Sequence, residues 1–392
     1  MSPNTLPSVA IERDAASAIA VSRLMLTNFR CFAHAALSVD ARPVVLTGPN
    51  GAGKTSVLEA LSLLAPGPGL RGARLADIAR REAAEGAGWA VAAEVEGFQG
   101  PASIGTGAVP GEPRRAVRID GRPAKGQAAL AEVISALWLT PSMDRMFSDG
   151  TGSRRRFFDR LVFGFDPGHA SRLSAYERAM RERARLLRDG AGAGAVDPAW
   201  LGALESRMAE NGVAVAAARR TTVRALAADL AQGAGPFPGA IVGFDGGVEA
   251  LLDDMPALDA EAHIAAALAA SRGHDARAGG ASQGPHRSDL AVRHKASGAP
   301  AAQCSTGEQK ALLIAVVLAT ARLQARLRGA APLLLLDEVA AHLDGDHRAA
   351  LADEIALLGA QAWLTGADRA SFAPFAARAQ YVTVEAATVT VE

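Results

Sequence analysis

The sequence predicts an α/β protein in which a mixed sheet with flanking helices is interrupted by an inserted, mainly helical domain. Three observations carry that expectation. Short apolar strands alternate with helical patterns at both ends of the chain, and the middle is helical. One early strand also runs straight into a glycine-rich turn that opens a helix. The 392 residues suit two or three domains with a sizeable core. The 41 Lys+Arg balance the 41 Asp+Glu, so a polyanionic partner must be met by a local patch, with no net field to draw it in. Only four of the basic residues are lysine, at positions 54, 125, 295 and 310; the other 37 are arginine. Two cysteines, Cys31 and Cys304, exclude a disulfide scaffold and read as packing residues in a reducing compartment. The longest apolar runs, such as 311–319, fall short of the roughly 20 residues that span a bilayer, and no secretion signal is expected at the start.

In chain order, residues 1–20 read as a loose extension without a period. Strands are expected at 23–29, 35–39 and 43–47, then a helix over 53–64 stopped by Pro66-Gly67-Pro68-Gly69. Strands follow at 89–96 and 115–120. Residues 153–272 carry helical patterns, broken by Gly/Pro/Ala-rich loops at 190–198 and 233–239. A strand at 289–294, a strong helix over 311–327, an apolar strand at 333–336, a strand at 362–365 and a final hairpin (380–385, 388–391) complete the chain. These patterns place a head at 21–140 plus 276–392 and a helical domain at 141–275.

Three motifs carry chemistry. Gly48-Pro49-Asn50-Gly51-Ala52-Gly53-Lys54-Thr55 is a phosphate loop in the right setting, between an apolar strand and a helix. Its glycines let backbone N–H groups line a phosphate-sized hollow at a positive helix end. Lys54 can reach the β- and γ-phosphates, and the Thr55 hydroxyl can hold Mg²⁺. Leu333-Leu334-Leu335-Leu336-Asp337-Glu338 reads as a central strand with acids at its carboxyl end, where α/β sheets bind ligands. Asp337 is assigned to the metal and Glu338 to polarising an attacking water. Third, Ser305-Thr306-Gly307-Glu308-Gln309 opens the helix just before that strand. Ser305/Glu308 and Thr306/Gln309 both fit a capped helix start, and the same geometry makes the segment a second anion site, formed by the Ser305 hydroxyl and the Gly307 N–H.

Together these residues resemble the ABC-type ATPase heads of the SMC/Rad50 class, and within it the RecF family of bacterial recombination mediators. On that resemblance 48–55 is Walker A, 333–338 Walker B, 305–309 the signature motif and Ala341-His342-Leu343-Asp344 the D-loop. The likeness to the RecF family rests further on Asn28-Phe29-Arg30, Pro68-Gly69-Leu70-Arg71-Gly72 and Trp138-Leu139-Thr140-Pro141. It also includes Arg154-Arg155-Arg156-Phe157-Phe158-Asp159-Arg160, Tyr176-Glu177-Arg178-Ala179-Met180 and Gly284-Pro285-His286-Arg287-Ser288-Asp289-Leu290. The resemblance implies an ABC-type P-loop head and extends the nucleotide set to Ser56, Arg30, Ser305, Gly307 and Gln309. It implies weak, DNA-stimulated hydrolysis of ATP, with Mg²⁺, and an ATP-dependent homodimer. It further implies binding to double-stranded DNA and single/double-strand junctions, and work with RecR, RecO and RecA in the bacterial cytoplasm, at the nucleoid. Transporters of this class carry a switch histidine after the strand that here ends in Thr365-Gly366-Ala367-Asp368, which leaves Thr365 and Asp368 as candidate γ-phosphate sensors.

For DNA, residues 151–190 hold ten arginines against five acids. The stretch 172–188 reads equally as a solvated helix face with i,i+4 partners. Arg154, Arg155 and Arg156 are the candidate phosphate contacts, because three adjacent cations repel one another unless anions are near. Nothing in the sequence reads bases, so affinity should depend on salt more than on sequence. The rival readings are the ATP-binding subunit of a membrane transporter, an SMC-like structural chromosome protein and, more remotely, a small-molecule kinase. The first leaves the arginine-rich insert without a role, the second lacks long heptads, and the third leaves 304–310 unexplained.

Overall fold

The computed structural model describes residues 18–392 except 85, 110, 113, 194–196 and 342, with backbone only at 191–193. The elements in order are β1 (Ala20–Phe29), β2 (Phe32–Ser38), β3 (Val44–Thr47), α1 (Lys54–Ser62), β4 (Trp89–Gly97), β5 (Gly100–Ala108), β6 (Ala116–Ile119), β7 (Arg122–Pro123) and β8 (Ala136–Leu139). Then come α2 (Thr151–Phe163), α3 (His169–Ala193), α4 (Pro198–Gln232), β9 (Ala240–Asp245), α5 (Gly247–Asp254), α6 (Ala257–Ala270), α7 (Arg272–Ala278) and β10 (Asp289–His294). The chain closes with α8 (Thr306–Arg328), β11 (Leu333–Leu336), α9 (Gly345–Leu358), β12 (Ala362–Thr365), β13 (Gln380–Glu385) and β14 (Thr388–Val391).

The central sheet has the order β14-β13-β3-β12-β11-β8. Every pair from β13 to β8 is parallel; only the edge strand β14 is antiparallel. Strands β3, β8, β11 and β12 are buried at every residue, because both faces of the sheet are covered. The two faces feed two different cores. Val45, Leu334, Leu336 and Leu364 pack with Leu312, Leu313 and Val316 of α8. Val44, Leu46, Leu333, Leu335 and Trp363 pack with Val57, Leu58 and Leu61 of α1 and with Val91 and Val95 of β4. So α1 and α8 lie on opposite sides of one sheet. A second, antiparallel sheet (β2-β1-β4-β5-β6-β7) covers the α1 side. A third core, around Tyr176, Met208, Val213 and Ile264, belongs to the helical region.

Several expectations are corrected. Residues 1–17 lie outside the described residues, and β1 already begins at Ala20, with Ile19 and Ala20 buried. The glycine-rich β5 lies where no strand was expected, and it pairs with β4 along its full length. Helix α3 runs on to Ala193, into the stretch expected to be loop. A helix at 345–358, capped by the Asp344 carboxylate on the His347 N–H, was not anticipated. The insert is also not purely helical: β9 pairs antiparallel with β10 of the head. The border at 141 does not coincide with a break in packing. Phe157, Phe158 and Leu161 of α2 and Leu226 and Leu230 at the end of α4 share the core of the sheet and α8. Helix α4, about 50 Å long at 1.5 Å per residue, has Leu204 and Met208 in the helical core and Leu230 in the head core. No described helix is long and apolar enough to cross a membrane.

Candidate nucleotide-binding site

Because β3, β12, β11 and β8 run parallel, the segments after all four emerge at one edge of the sheet. The 48–53 loop follows β3, and its turns need glycine: φ is +139° at Gly48, +81° at Gly51 and +114° at Gly53. A Cβ on Gly48 would sit 2.0 Å from the Val384 carbonyl oxygen, and one on Gly53 would sit 2.8 Å from Cys31 Sγ and Phe32 Cζ. The loop is therefore backed tightly by β13 and by the start of β2. Pro49, Asn50 and Gly51 are exposed, and a Cβ on Gly51 would meet nothing within 4 Å. That combination, a tightly backed loop with an open rim, fits a phosphate chain lying against backbone N–H groups.

Lys54 is 5 % exposed, and its ammonium curls back onto the loop, donating to the carbonyl oxygens of Gly48 (2.7 Å) and Pro49 (2.8 Å). Burial lowers its pKa, against the opposing pull of Glu338 and Asp337. The Thr55 hydroxyl donates to Asp337 at 2.9 Å. Asp337, 7 % exposed, also accepts the Thr365 hydroxyl at 2.7 Å. A hydroxyl and a carboxylate side by side are the hard oxygen donors that suit Mg²⁺ when phosphates complete its shell. Glu338 is exposed at the mouth with φ +48°, and its N–H donates to Thr365 Oγ1 at 2.9 Å.

The outlying members fare differently. Ser56 is buried behind the loop and shares a cavity of about 380 Å³ with Arg30, Cys31, Arg71 and Arg80. Arg30, expected to bind nucleotide, pairs through Nε and Nη2 with both oxygens of the buried Glu59; the Nε contact is 2.8 Å. Glu59 also has Arg71 at 3.4 Å. Nothing in the sequence marked Glu59, although an acid on the apolar face of α1 is a signal that could have done so. Cys31, read as a packing residue, is exposed on that cavity. Ser305 caps α8 within a full capping box: its N–H and hydroxyl donate to Glu308 Oε2 at 2.8 Å. Residues 305–308 are exposed, and Gly307 has open space around it. Gln309 is buried and spent, donating to the Cys304 carbonyl (2.9 Å) and accepting from Ser148 (3.3 Å). Asp368 accepts its own neighbour's N–H, from Ala370. The D-loop expectation includes His342, which lies outside the described residues.

The arginine run folds inwards. Arg154 grips Asp289 with two bonds of 2.8 Å and also donates to the Phe147 carbonyl. Arg155 donates to the Ser288 carbonyl at 2.6 Å, and burial lowers its pKa. Of the three, only Arg156 is exposed. The segment 284–289 meets further partners. Arg219 bonds the Pro285 carbonyl and both oxygens of Asp159, each at 2.8 Å; Tyr176 meets His286, and Ser288 donates to Glu249. The two family-like motifs around 154–160 and 284–290 are thus halves of one buried junction. For Arg154 the chain itself supplies the anion, Asp289, and for Arg155 a carbonyl oxygen.

A phosphate loop, an acid-tipped strand two places along the same parallel sheet and a serine-capped helix on the far face of that sheet define an ABC-type ATPase head of the SMC kind. Residues 20–373 match the family described as RecF/RecN/SMC N terminal domain. The chain is 49 % identical over 373 residues to the "DNA replication and repair protein RecF" of Mesorhizobium japonicum, covering 94 % of this chain and 97 % of that one. It is 49 % identical over 381 residues to the protein of the same name from a Caulobacter species, covering 94 % and 97 %. It belongs to the RecF family. Its fold matches a solved structure titled "Structure of the recombination mediator protein RecF-ATPrS in RecFOR pathway" with a TM-score of 0.83, 18 % identity and coverage of 96 % and 99 %. A Pyrococcus furiosus Smc head domain matches with 0.53, 16 % identity and coverage of 95 % and 96 %.

Proposed function

We propose that two copies of this chain close around ATP and Mg²⁺ on duplex or gapped DNA, as a slow, DNA-stimulated ATPase of recombinational repair. On this reading RecR, RecO and the RecA recombinase are its partners, at the nucleoid. The observation that carries it is that α1 and α8, the two helices with phosphate-binding starts, pack on opposite faces of one sheet. A single chain therefore offers one end to each of two nucleotides. Ser305–Glu308 is left exposed for the triphosphate of the other copy.

In each composite site the 48–53 backbone would cradle the phosphates. Lys54 would exchange its two carbonyl contacts for phosphate oxygens, which compete well because the pair is then charge-assisted. Thr55 and Asp337 would hold the magnesium, whose charge screens the phosphate oxygens. Glu338, exposed at the mouth, would take the proton of the attacking water. The differential grip on the γ-phosphate drives closure, and its loss reopens the dimer. For DNA, the exposed arginines within residues 151–190 are Arg156 and, along α3, Arg178, Arg181, Arg185 and Arg188. Their spacing of three, four and three puts the last four on one helix face. Arg181 meets only the exposed Glu177 at 3.5 Å, a pair of little weight. This supports phosphate contact from α3 in place of Arg154 and Arg155.

Mixing two inactive variants tests the shared site. Lys54→Ala spoils one chain's loop and Ser305→Arg spoils the other's signature end. A mixed dimer regains one intact composite site, so ATP hydrolysis returns on mixing although each variant alone is inactive. A mixture as inactive as its parts, while Ser305→Arg alone still dimerises with ATP in light scattering, rejects the shared site.

A further inference from the structure

β11 and β12 are parallel and in register through Leu334–Ala362, Leu335–Trp363 and Leu336–Leu364. One step further the same register sets Thr365 beside Asp337. The Asp337 N–H continues the bonds to β8, reaching the Leu139 carbonyl at 2.9 Å as the Leu333 N–H reaches that of Ser135. The ladder to β12, however, stops at Glu338, which takes φ +48°, a left-handed backbone that a non-glycine residue adopts only when its surroundings hold it there. That turn leaves the Glu338 N–H without a strand partner. The Thr365 hydroxyl fills the gap, accepting the Glu338 N–H at 2.9 Å and donating its proton to Asp337 Oδ1 at 2.7 Å. A hydroxyl has one proton to give, and this one is committed. Thr365 is 0 % exposed, so no bulk water stands ready to replace it.

We infer that Thr365 is a positioning residue for hydrolysis: its hydroxyl ties the backbone of Glu338 to the carboxylate of Asp337 and so fixes where the general base points. It is not the γ-phosphate sensor its place in the sequence suggests, since its proton already belongs to Asp337. The left-handed turn aims the Glu338 side chain out of the sheet edge, towards the mouth where the 48–53 loop opens. Without the hydroxyl, the N–H of Glu338 loses its buried acceptor and the turn loses its restraint. Binding would survive, because Lys54, Thr55 and the glycines of the loop are held by other contacts. The inference rests on the reading of Glu338 as the base.

The test uses the full chain. Thr365→Val keeps the shape and removes the hydroxyl. It should lower kcat for ATP hydrolysis on the order of tenfold to a hundredfold, as expected when a reacting group is misplaced. Affinity for a fluorescent ATP analogue should stay within about twofold, the signature of a loss confined to the transition state. Thr365→Ser restores the hydroxyl and should restore most of kcat. Glu338→Gln serves as the reference: it should bind the analogue and scarcely hydrolyse ATP. If Glu338→Gln hydrolyses normally, the assignment of the base falls and this inference with it. If Glu338→Gln is inactive but Thr365→Val turns over like the parent, the inference alone is overturned. It is equally overturned if Thr365→Val loses affinity along with kcat, or if Thr365→Ser fails to rescue, since either marks a purely structural role.

Discussion

The sheet edge and the arginine junction are both rich in charge, and they handle it in opposite ways. At the edge, Lys54 is held only by two carbonyls of its own loop, and Glu338 stands exposed with its carboxylate free of any hydrogen-bond or ion-pair partner among the described residues. At the junction the buried charges have partners from other elements: Arg154 with Asp289, Arg219 with Asp159, and His169 Nε2 with Asp159 at 2.9 Å. His169 is fully buried, and Asp159 and Arg219 nearly so. At the edge the two groups that must take new partners, Lys54 and Glu338, have local carbonyl contacts or none, while Asp337 beside them is held by Thr55 and Thr365. A junction that must not move pairs its charges with partners from other elements, although His169 Nδ1 and Glu249 Oε1 have no hydrogen-bond partner among the described residues.

Lys54→Ala tests the edge and carries the largest effect. It should weaken binding of an ATP analogue by at least a hundredfold, about 2.7 kcal/mol, with little change in the urea midpoint. A large drop in midpoint would place Lys54 among the structural cations and erase the contrast. Arg219→Leu does the reverse. Taking one partner from a buried ion group leaves Asp159 short of its counter-charge and should cost about 3–5 kcal/mol of stability, read by urea unfolding. The same group gives the acid limb of stability. Burial alone would raise the Asp159 pKa, but hydrogen bonds from His169 and Arg219 outweigh it and the net shift is downward. A carboxyl depressed in the folded state stabilises above its unfolded pKa, near 4, and that contribution is lost as pH falls through the lower folded value. Asp159→Asn should flatten this limb; an unchanged acid profile would show that the junction is not held by charge.

The smallest effect separates the two kinds of arginine. Alanine at Arg178, Arg181, Arg185 or Arg188 should each lower the slope of log affinity for duplex DNA against log salt by about 1, while stability stays near that of the parent. Arg154→Ala should lower stability and leave the slope alone. The opposite pattern would return phosphate contact to the 154–156 run.

The nucleotide edge was legible because its chemistry is local. The turn at 48–55 needs glycines at fixed positions, and a four-leucine strand tipped with Asp337 has few other uses in a parallel sheet. The capping box at Ser305 was legible for the same reason. Strands β5, β8 and β9 were missed; each is settled by its pairing, with β4, β11 and β10 respectively. The fate of Arg30 depended on Glu59, 29 positions away in the chain, and that of Arg154 on Asp289, 135 positions away.

By itself the sequence determined the phosphate loop, the acid pair and the capped helix, since each depends on residues within a few positions of one another and on backbone conformations that only certain side chains allow. Which arginines remain free for a polyanion, and which hydroxyl fixes Glu338, was decided only when distant segments packed together. A guanidinium or a hydroxyl bonds whatever acceptor the fold brings within about 3 Å, and that choice is written in no single stretch of the chain.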